Sequence, residues 1–252
     1  MFSFLNNIPQ VTKNLLLINV MLYIVSLVLM NKGIDVGQYL GAHYFNSALF
    51  QPYQVITHMF MHSLTDFMHI LFNMLLLVMF GSHLERLWGA KRFFIFYMAS
   101  GLGAFFLYNS IGVWELMELK KSIIAMGYDL DTLNHKIVNN YLSEITFNNE
   151  YQGAIIQRYY DLTMSNMVGA SGALFGVLAG FAVLFPNTEL MLLFPPIPIK
   201  AKFLIGAYLI FEIYSSIKMQ HDQIAHLAHV GGAIVGISLV LIWRKTDKKN
   251  FW

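Results

Sequence analysis

Four sets of polar residues lie inside apolar stretches of this chain, and their types could carry acyl-transfer chemistry. Gly169-Ala-Ser171-Gly172 opens one apolar run. Flanking glycines let the serine backbone come close to a bound carbonyl. At a helix start the serine also faces free backbone N–H groups and the positive end of the helix dipole, which favour an oxyanion. Such a serine needs a base to become a useful nucleophile, and histidine is the usual one. His226 and His229 stand in the last apolar run. His69 and Asn73 are four residues apart in another run. They project from one helix face, and both can donate hydrogen bonds to an oxyanion. The fourth set is Glu212 alone. Ionisable groups inside hydrocarbon mark function by default. A lone glutamate is nevertheless expected to be an interhelical hydrogen-bond partner or to sit near the outer end of its span.

The elements that must hold these residues are membrane spans. Of the 252 residues, 57% are hydrophobic and 12% charged, where an ordinary soluble domain is about 25% charged. That composition argues against a soluble enzyme. An aromatic content of 15% argues against a disordered chain. A net charge of +2 without a long basic run argues against nucleic-acid binding. The chain has no cysteine, which removes disulfides, thiolate nucleophiles and cysteine-based metal centres. Apolar runs that suit roughly 30 Å of hydrocarbon cover about 14–30, 68–84, 93–113, 167–185, 203–217 and 224–243. The first is read as a retained span rather than a signal peptide. The expected architecture is one all-α membrane domain over 1–252, a bundle of six transmembrane helices.

Two connections stand out. Residues 114–166 carry Glu115, Glu118, Asp129, Asp131, Glu144, Glu150 and Asp161 and read as a polar loop with about two helices. Residues 186–202 hold Pro186, Pro195, Pro196 and Pro198, which preclude a regular helix. With the N-terminus inside, Lys13, Arg86, Lys91, Arg92, Lys200, Lys202, Arg244, Lys245, Lys248 and Lys249 lie inside. Lys32, Lys120, Lys121, Lys136, Arg158 and Lys218 then lie outside, spread over longer loops. Cytoplasmic termini and an extracytoplasmic 114–166 loop are therefore expected.

Small residues suggest how the serine and a histidine meet. Gly172, Gly176 and Gly180 form a ridge one turn apart, and so do Ala228, Gly232 and Gly236. Two such ridges invite close packing of spans four and six. Ser171 and His229 border them. Phe175, four residues after Ser171, shares its helix face and could stack against the His229 ring or be ordinary core.

These residues match a family pattern. His-x-x-x-Asn (His69, Asn73) falls in the second span and Gly-x-Ser-Gly (Gly169, Ser171, Gly172) in the fourth. Ala-His-x-Gly-Gly followed by Gly (Ala228, His229, Gly231, Gly232, Gly236) falls in the sixth. The stretch from Phe80 to Phe93 is similar to the family's loop between its second and third spans. In this order, over about residues 50–112 and 165–243, the chain resembles the rhomboid intramembrane serine proteases. The resemblance implies a serine–histidine dyad that cleaves transmembrane segments of membrane proteins. Ser171 would be the nucleophile and His229 the base. His69, Asn73 and the Ser171 N–H, with Gly169 nearby, would form the oxyanion hole. No cofactor or metal is implied, and no third acidic residue is assigned. The active site would open to the extracytoplasmic side. The motif selects His229 over His226, which is read as structural or loop-facing. Two features depart from the family. The 114–166 loop is longer than a six-span core needs, and Gln51-Pro-Tyr53-Gln54 stands where many members have Trp-Arg.

Rival chemistries are weaker. His58 and His62 have metal-ligand spacing, but His-Glu-x-x-His is missing from the sequence. Tyr128-Asp129 and Tyr160-Asp161, which an aspartyl intramembrane protease could use, lie in the polar loop. A non-enzymatic relative that binds client transmembrane helices is the main alternative, and a transporter built on Glu212 is a third. Partners are expected to be transmembrane substrates and the bilayer. The oligomeric state is not readable. Lysine in excess of arginine, with many Asn and Ile, suits an AT-rich bacterial genome and hence a bacterial inner membrane. Because the imidazole must be neutral to act as base, activity is expected to fall at acid pH.

Overall fold

The computed structural model describes residues 6–139, 141–191, 196–218 and 223–246. Pro195, Lys248 and Lys249 lie outside the described residues. The main helices are α1 (Gln10–Met30), α2 (Phe67–Trp88), α3 (Ala90–Ala125), α4 (Leu130–Val138) and α5 (Glu150–Met164). They continue as α6 (Ser171–Leu184), α7 (Ala201–Lys218) and α8 (Gln223–Thr246). Among the described residues, α1, α2, α3 and the His226–Thr246 part of α8 are long and apolar enough to cross a membrane. This is a helical membrane protein. Of the six expected spans, these four have that length and apolarity. The helices α6 and α7 coincide with the other two expected segments. With 14 residues, α6 is about 21 Å long, well short of the roughly 30 Å hydrocarbon layer.

The short helix is the centre of the molecule. Every residue of α6 from Gly172 to Phe181 is buried, as expected for a helix that is apolar all round. Its neighbours are α2, α3, α7 and α8. The outer helices turn apolar side chains outward instead. Met21, Ile24, Val25 and Val28 of α1 are exposed, as are Ile210, Tyr214 and Ile217 of α7. Apolar faces of that extent suit lipid rather than water.

Polar anchoring sets the helix starts. The carboxylate of buried Glu85, on α2, accepts from the Val11 and Thr12 N–H groups at 2.8 and 2.7 Å and from the Thr12 hydroxyl at 2.8 Å. It thus satisfies free donors at the start of α1, where the dipole favours negative charge. Asp66 caps α2 by accepting from Met68 N–H at 2.9 Å. Over Leu77–Gly81 α2 has a π-helical segment. Gly89 (φ +78°) ends it and turns the chain into α3.

Two sequence expectations need correction. The polar segment does not begin at 114, because α3 continues unbroken to Ala125. Its last turns bury Leu116, Leu119 and Ile123 against Leu133 and Ile137 of α4 and Ile156, Tyr159 and Leu162 of α5. The charge count hid this amphipathic spacing. The two expected helices are α4 and α5, and they pack with the end of α3 into a three-helix cap. The all-α expectation also misses a small antiparallel pair, β1 (Glu189–Met191) with β2 (Pro198–Lys200). A proline-rich turn cannot continue a helix, but Pro198 can close the end of a two-stranded ribbon.

Candidate active site

Residues 165–170 lead into α6 as extended chain. Met167 and Ala42 exchange N–H···O bonds of 2.8 and 2.9 Å, and Gly169 N–H donates to His58 O at 2.9 Å. Gly169 has φ +128°, a conformation that side-chain-bearing residues rarely adopt. A Cβ there would also lie 3.0 Å from His69 Nε2 and 3.4 Å from Ser171 Oγ. Only glycine fits both the turn and the space. Ser171 follows as the first residue of α6. Helix geometry leaves its N–H, and those of Gly172 and Ala173, without an intrahelical partner.

The glycine ridges bring α8 against α6. A Cβ on Gly232 would fall on the carbonyl oxygen of Gly172, and one on Gly236 would crowd Gly176 O at 2.5 Å. Backbone meets backbone with no room for a methyl group. His229, one turn before Gly232, then points at Ser171, with Nε2 2.9 Å from Ser171 Oγ. The Phe175 ring stacks on the His229 ring at a centroid distance of 4.1 Å and an interplanar angle of 13°. Tyr208 of α7 also packs against Phe175, at a centroid distance of 4.9 Å.

The hydrogen-bond network assigns the tautomers. His229 Nδ1 lies 2.9 Å from Glu212 Oε2. An ionised carboxylate only accepts, so Nδ1 carries the proton and Nε2 offers its lone pair to the serine hydroxyl. His69 has the opposite arrangement. Its Nδ1 accepts from Ser63 N–H at 3.3 Å, so its Nε2–H is free to donate beside Gly169 and Ser171. Asn73 donates one amide hydrogen to His69 O at 2.6 Å, which leaves its second hydrogen available. The structure therefore brings Ser171, His229, His69, Gly169 and Phe175 together, with Asn73 one turn further along α2.

Two cavities meet at these residues. One, of about 440 Å³, reaches Ser171 and His229 past His58, Asn166, Val168 and Gly169. The other, of about 320 Å³, lies between α2, α6 and α7 and is lined by Met68, Phe72, Leu76, Leu174 and Tyr208 beside the same serine and histidine. A water-sized reactant and an extended apolar peptide could each reach the pair by its own route.

Glu212 makes the interhelical hydrogen bond expected of it, but the sequence reading did not join it to this site, where its partner is the His229 ring. Glu212 is 2% exposed, and its Oε2 also receives His226 Nδ1–H at 2.6 Å. The sequence left two pointers. A lone carboxylate in an apolar run must find donors, and His226 and His229 are one turn apart in the next helix. His226 is thus a partner of Glu212 rather than a loop-facing residue. His58 and His62 do not share a helix face, since the chain turns extended at Met61. Burial pushes the pKa of each of these two rings down to about 4. The unfolded chain therefore takes up protons below about pH 6.5 that the folded chain refuses, and stability declines from there towards pH 4. At pH 5 the loss is about 2 kcal/mol per ring. The thermal midpoint in detergent is expected to drop between pH 7 and 5, and less steeply for His62→Leu. A midpoint independent of pH over this range refutes the expectation.

Comparison with known proteins places the chain in a family. The family model described as Rhomboid domain matches residues 49–116 and 131–246. Rhomboid protein 1, mitochondrial, of Saccharomyces cerevisiae (strain ATCC 204508 / S288c) is 26% identical over 172 residues, which cover 68% of this chain. The chain spans 37% of the length of that yeast relative. A domain match that runs from the approach to α2 through the end of α8 and takes in every residue of the serine–histidine site means that the chain belongs to the rhomboid family.

Proposed function

We propose that this chain is an intramembrane serine endopeptidase that cleaves transmembrane segments of other membrane proteins. The observation that carries the reading is the 2.9 Å contact between Ser171 Oγ and His229 Nε2 at the junction of the two cavities. His229 takes the Ser171 proton on Nε2 as Oγ bonds to the scissile carbonyl carbon, and the carbonyl oxygen becomes an oxyanion. His69 Nε2–H, the second amide hydrogen of Asn73 and the free N–H groups at the start of α6 stabilise that charge. The imidazolium then gives its proton to the leaving amine as the C–N bond breaks. A water, deprotonated by His229, hydrolyses the acyl-enzyme and regenerates Ser171. Phe175 holds the imidazole plane by stacking.

The substrate segment enters laterally between α2 and α7, where the apolar cavity reaches the serine. Its helix must unwind there, because a protease needs an extended bond and hydrocarbon disfavours open backbone. In this reading α6 and α7 are the fourth and fifth of six spans. The short α6 leaves Ser171 below the membrane surface, open to extracytoplasmic water. The termini are cytoplasmic, the packed 114–166 cap lies outside, and the membrane is a bacterial inner membrane.

The test is cleavage of a generic single-span substrate by the purified chain in detergent, with a fluorophosphonate probe of Ser171 alongside. Cleavage together with Ser171 labelling is expected. Neither cleavage nor labelling would sink the proposal in favour of a client-binding protein.

A further inference from the structure

The mechanism above uses Ser171 and His229 and leaves Glu212 unassigned. We propose that Glu212 is a positioning residue of the reaction, which fixes the His229 tautomer and stabilises its imidazolium, so that the site works as a serine–histidine–glutamate relay. This inference rests on the protease reading. Three observations carry it. His229 Nδ1 is 2.9 Å from Glu212 Oε2 while Nε2 is 2.9 Å from Ser171 Oγ, so the three groups lie in series through one imidazole. The Glu212 side chain is almost fully buried, with 3% of its surface exposed. Its charge is therefore little screened by water. His226 Nδ1–H donates to the same oxygen at 2.6 Å and anchors the carboxylate from the preceding turn of α8.

The order of roles follows from proton bookkeeping. In the ground state Nδ1–H donates to Glu212, so Nε2 can only accept, which is what a base for Ser171 must do. When Nε2 takes the serine proton, the positive ring faces the carboxylate across an existing hydrogen bond. Glu212 keeps its charge throughout, and no proton moves to it. A carboxylate that orients and stabilises a catalytic histidine in this way has a large effect on turnover in soluble serine proteases. Among the described residues, the other titratable groups around His229 are His226, His69 from α2 and Tyr208, one turn before Glu212 on α7. None of them is a carboxylate.

A divalent cation is the competing occupant, since the three donor atoms of Glu212, His226 and His229 lie within 4.8 Å of one another. The observed 2.6 and 2.9 Å spacings are hydrogen-bond lengths. Tetrahedral ligands at 2.0–2.1 Å from zinc would stand roughly 3.3 Å apart. A metal on Nδ1 would also remove the proton that orients the ring.

The experiment compares the wild-type chain with Glu212→Gln and Glu212→Asp on the same single-span substrate, with Ser171→Ala as the blank. Each protein is also assayed for thermal midpoint and for cleavage in EDTA and in added zinc. Glu212→Gln is expected to lower kcat by about 100-fold or more with KM almost unchanged, at a preserved midpoint. Glu212→Asp keeps the charge but stands one methylene short of Nδ1, and should lose about tenfold in kcat, less than the glutamine variant loses. If the glutamine protein does not fold, the aspartate protein decides. Lowered kcat at unchanged KM supports the relay, and unaltered kcat overturns it. A folded Glu212→Gln protein with wild-type kcat, beside an inactive Ser171→Ala, overturns the inference and leaves the protease reading intact. Activity lost in EDTA and restored by zinc overturns it in favour of a metal site. A wild-type chain that neither cleaves nor labels at Ser171 removes the inference together with the reading on which it rests.

Discussion

Alanine at Ser171, at His229, or at both is expected to lower kcat by the same factor, about 10⁶-fold. The equality is the informative part. Ser171 Oγ and His229 Nε2 share one hydrogen bond, and neither group does chemistry without the other. A serine hydroxyl without its base stays protonated near neutral pH, and an imidazole without the serine has no proton to take. The double variant therefore costs no more than either single one. KM should change little, since neither side chain contributes much of the substrate's apolar contact surface. Fluorophosphonate labelling should vanish in all three proteins; the Ser171→Ala midpoint should stay near wild type, whereas loss of His229 takes a donor from buried Glu212 and should lower the midpoint. Single-turnover cleavage beside the double variant makes the measurement. Losses that multiply would mean two independent contributions and would contradict the shared-proton mechanism.

The second large effect is structural in origin. Gly232→Ala places a methyl group on the carbonyl oxygen of Gly172. Neither partner is a flexible side chain, so two backbones must separate. Forcing one methyl group into such a contact costs about 3 kcal/mol. Relief requires α8 to move off α6, and this carries His229 away from Ser171. A displacement near 1 Å at a reacting centre lowers turnover about 100-fold. Gly232→Ala is therefore expected to lose both thermal midpoint and kcat. Gly206→Ala, where an added Cβ meets nothing within 4 Å, should lose neither, and its better helix propensity should raise stability by up to about 1 kcal/mol. Equal behaviour of the two variants would refute close backbone packing as the device that holds the site together.

Much of the site was legible in the sequence because its parts are local. The spacing of His69 and Asn73 fixes a common helix face whatever the fold does. Gly169 and Gly172 around Ser171 announce close backbone approach, and the two ridges announce which helices meet. Chain-local rules cannot carry an element past its own neighbourhood, and this is where the reading fell short. The polar composition of 114–166 hid the apolar stripe of Leu116, Leu119 and Ile123, which has a partner only once α4 and α5 fold back on it. The β1–β2 pair also depends on two segments that approach across a turn.

Glu212 draws the line most sharply. Its sequence context states that a carboxylate in an apolar helix needs donors, and that two histidines follow in the next helix. Nothing in that spacing says whether Glu212 faces the His229 ring or a neighbouring lipid, because the angle between α7 and α8 about their axes is not encoded in either helix alone. By itself the sequence determined a helical membrane protein and singled out Ser171, His229, His69 and Asn73 with the local spacing of each. The glycine ridges announced that these helices meet; tertiary packing decided the register that sets Gly232 on Gly172 and His229 Nε2 at Ser171, and it alone decided that Glu212 closes on Nδ1 of the same imidazole. Hydrogen-bond direction and backbone contact are properties of two elements at once, and only the folded chain sets them.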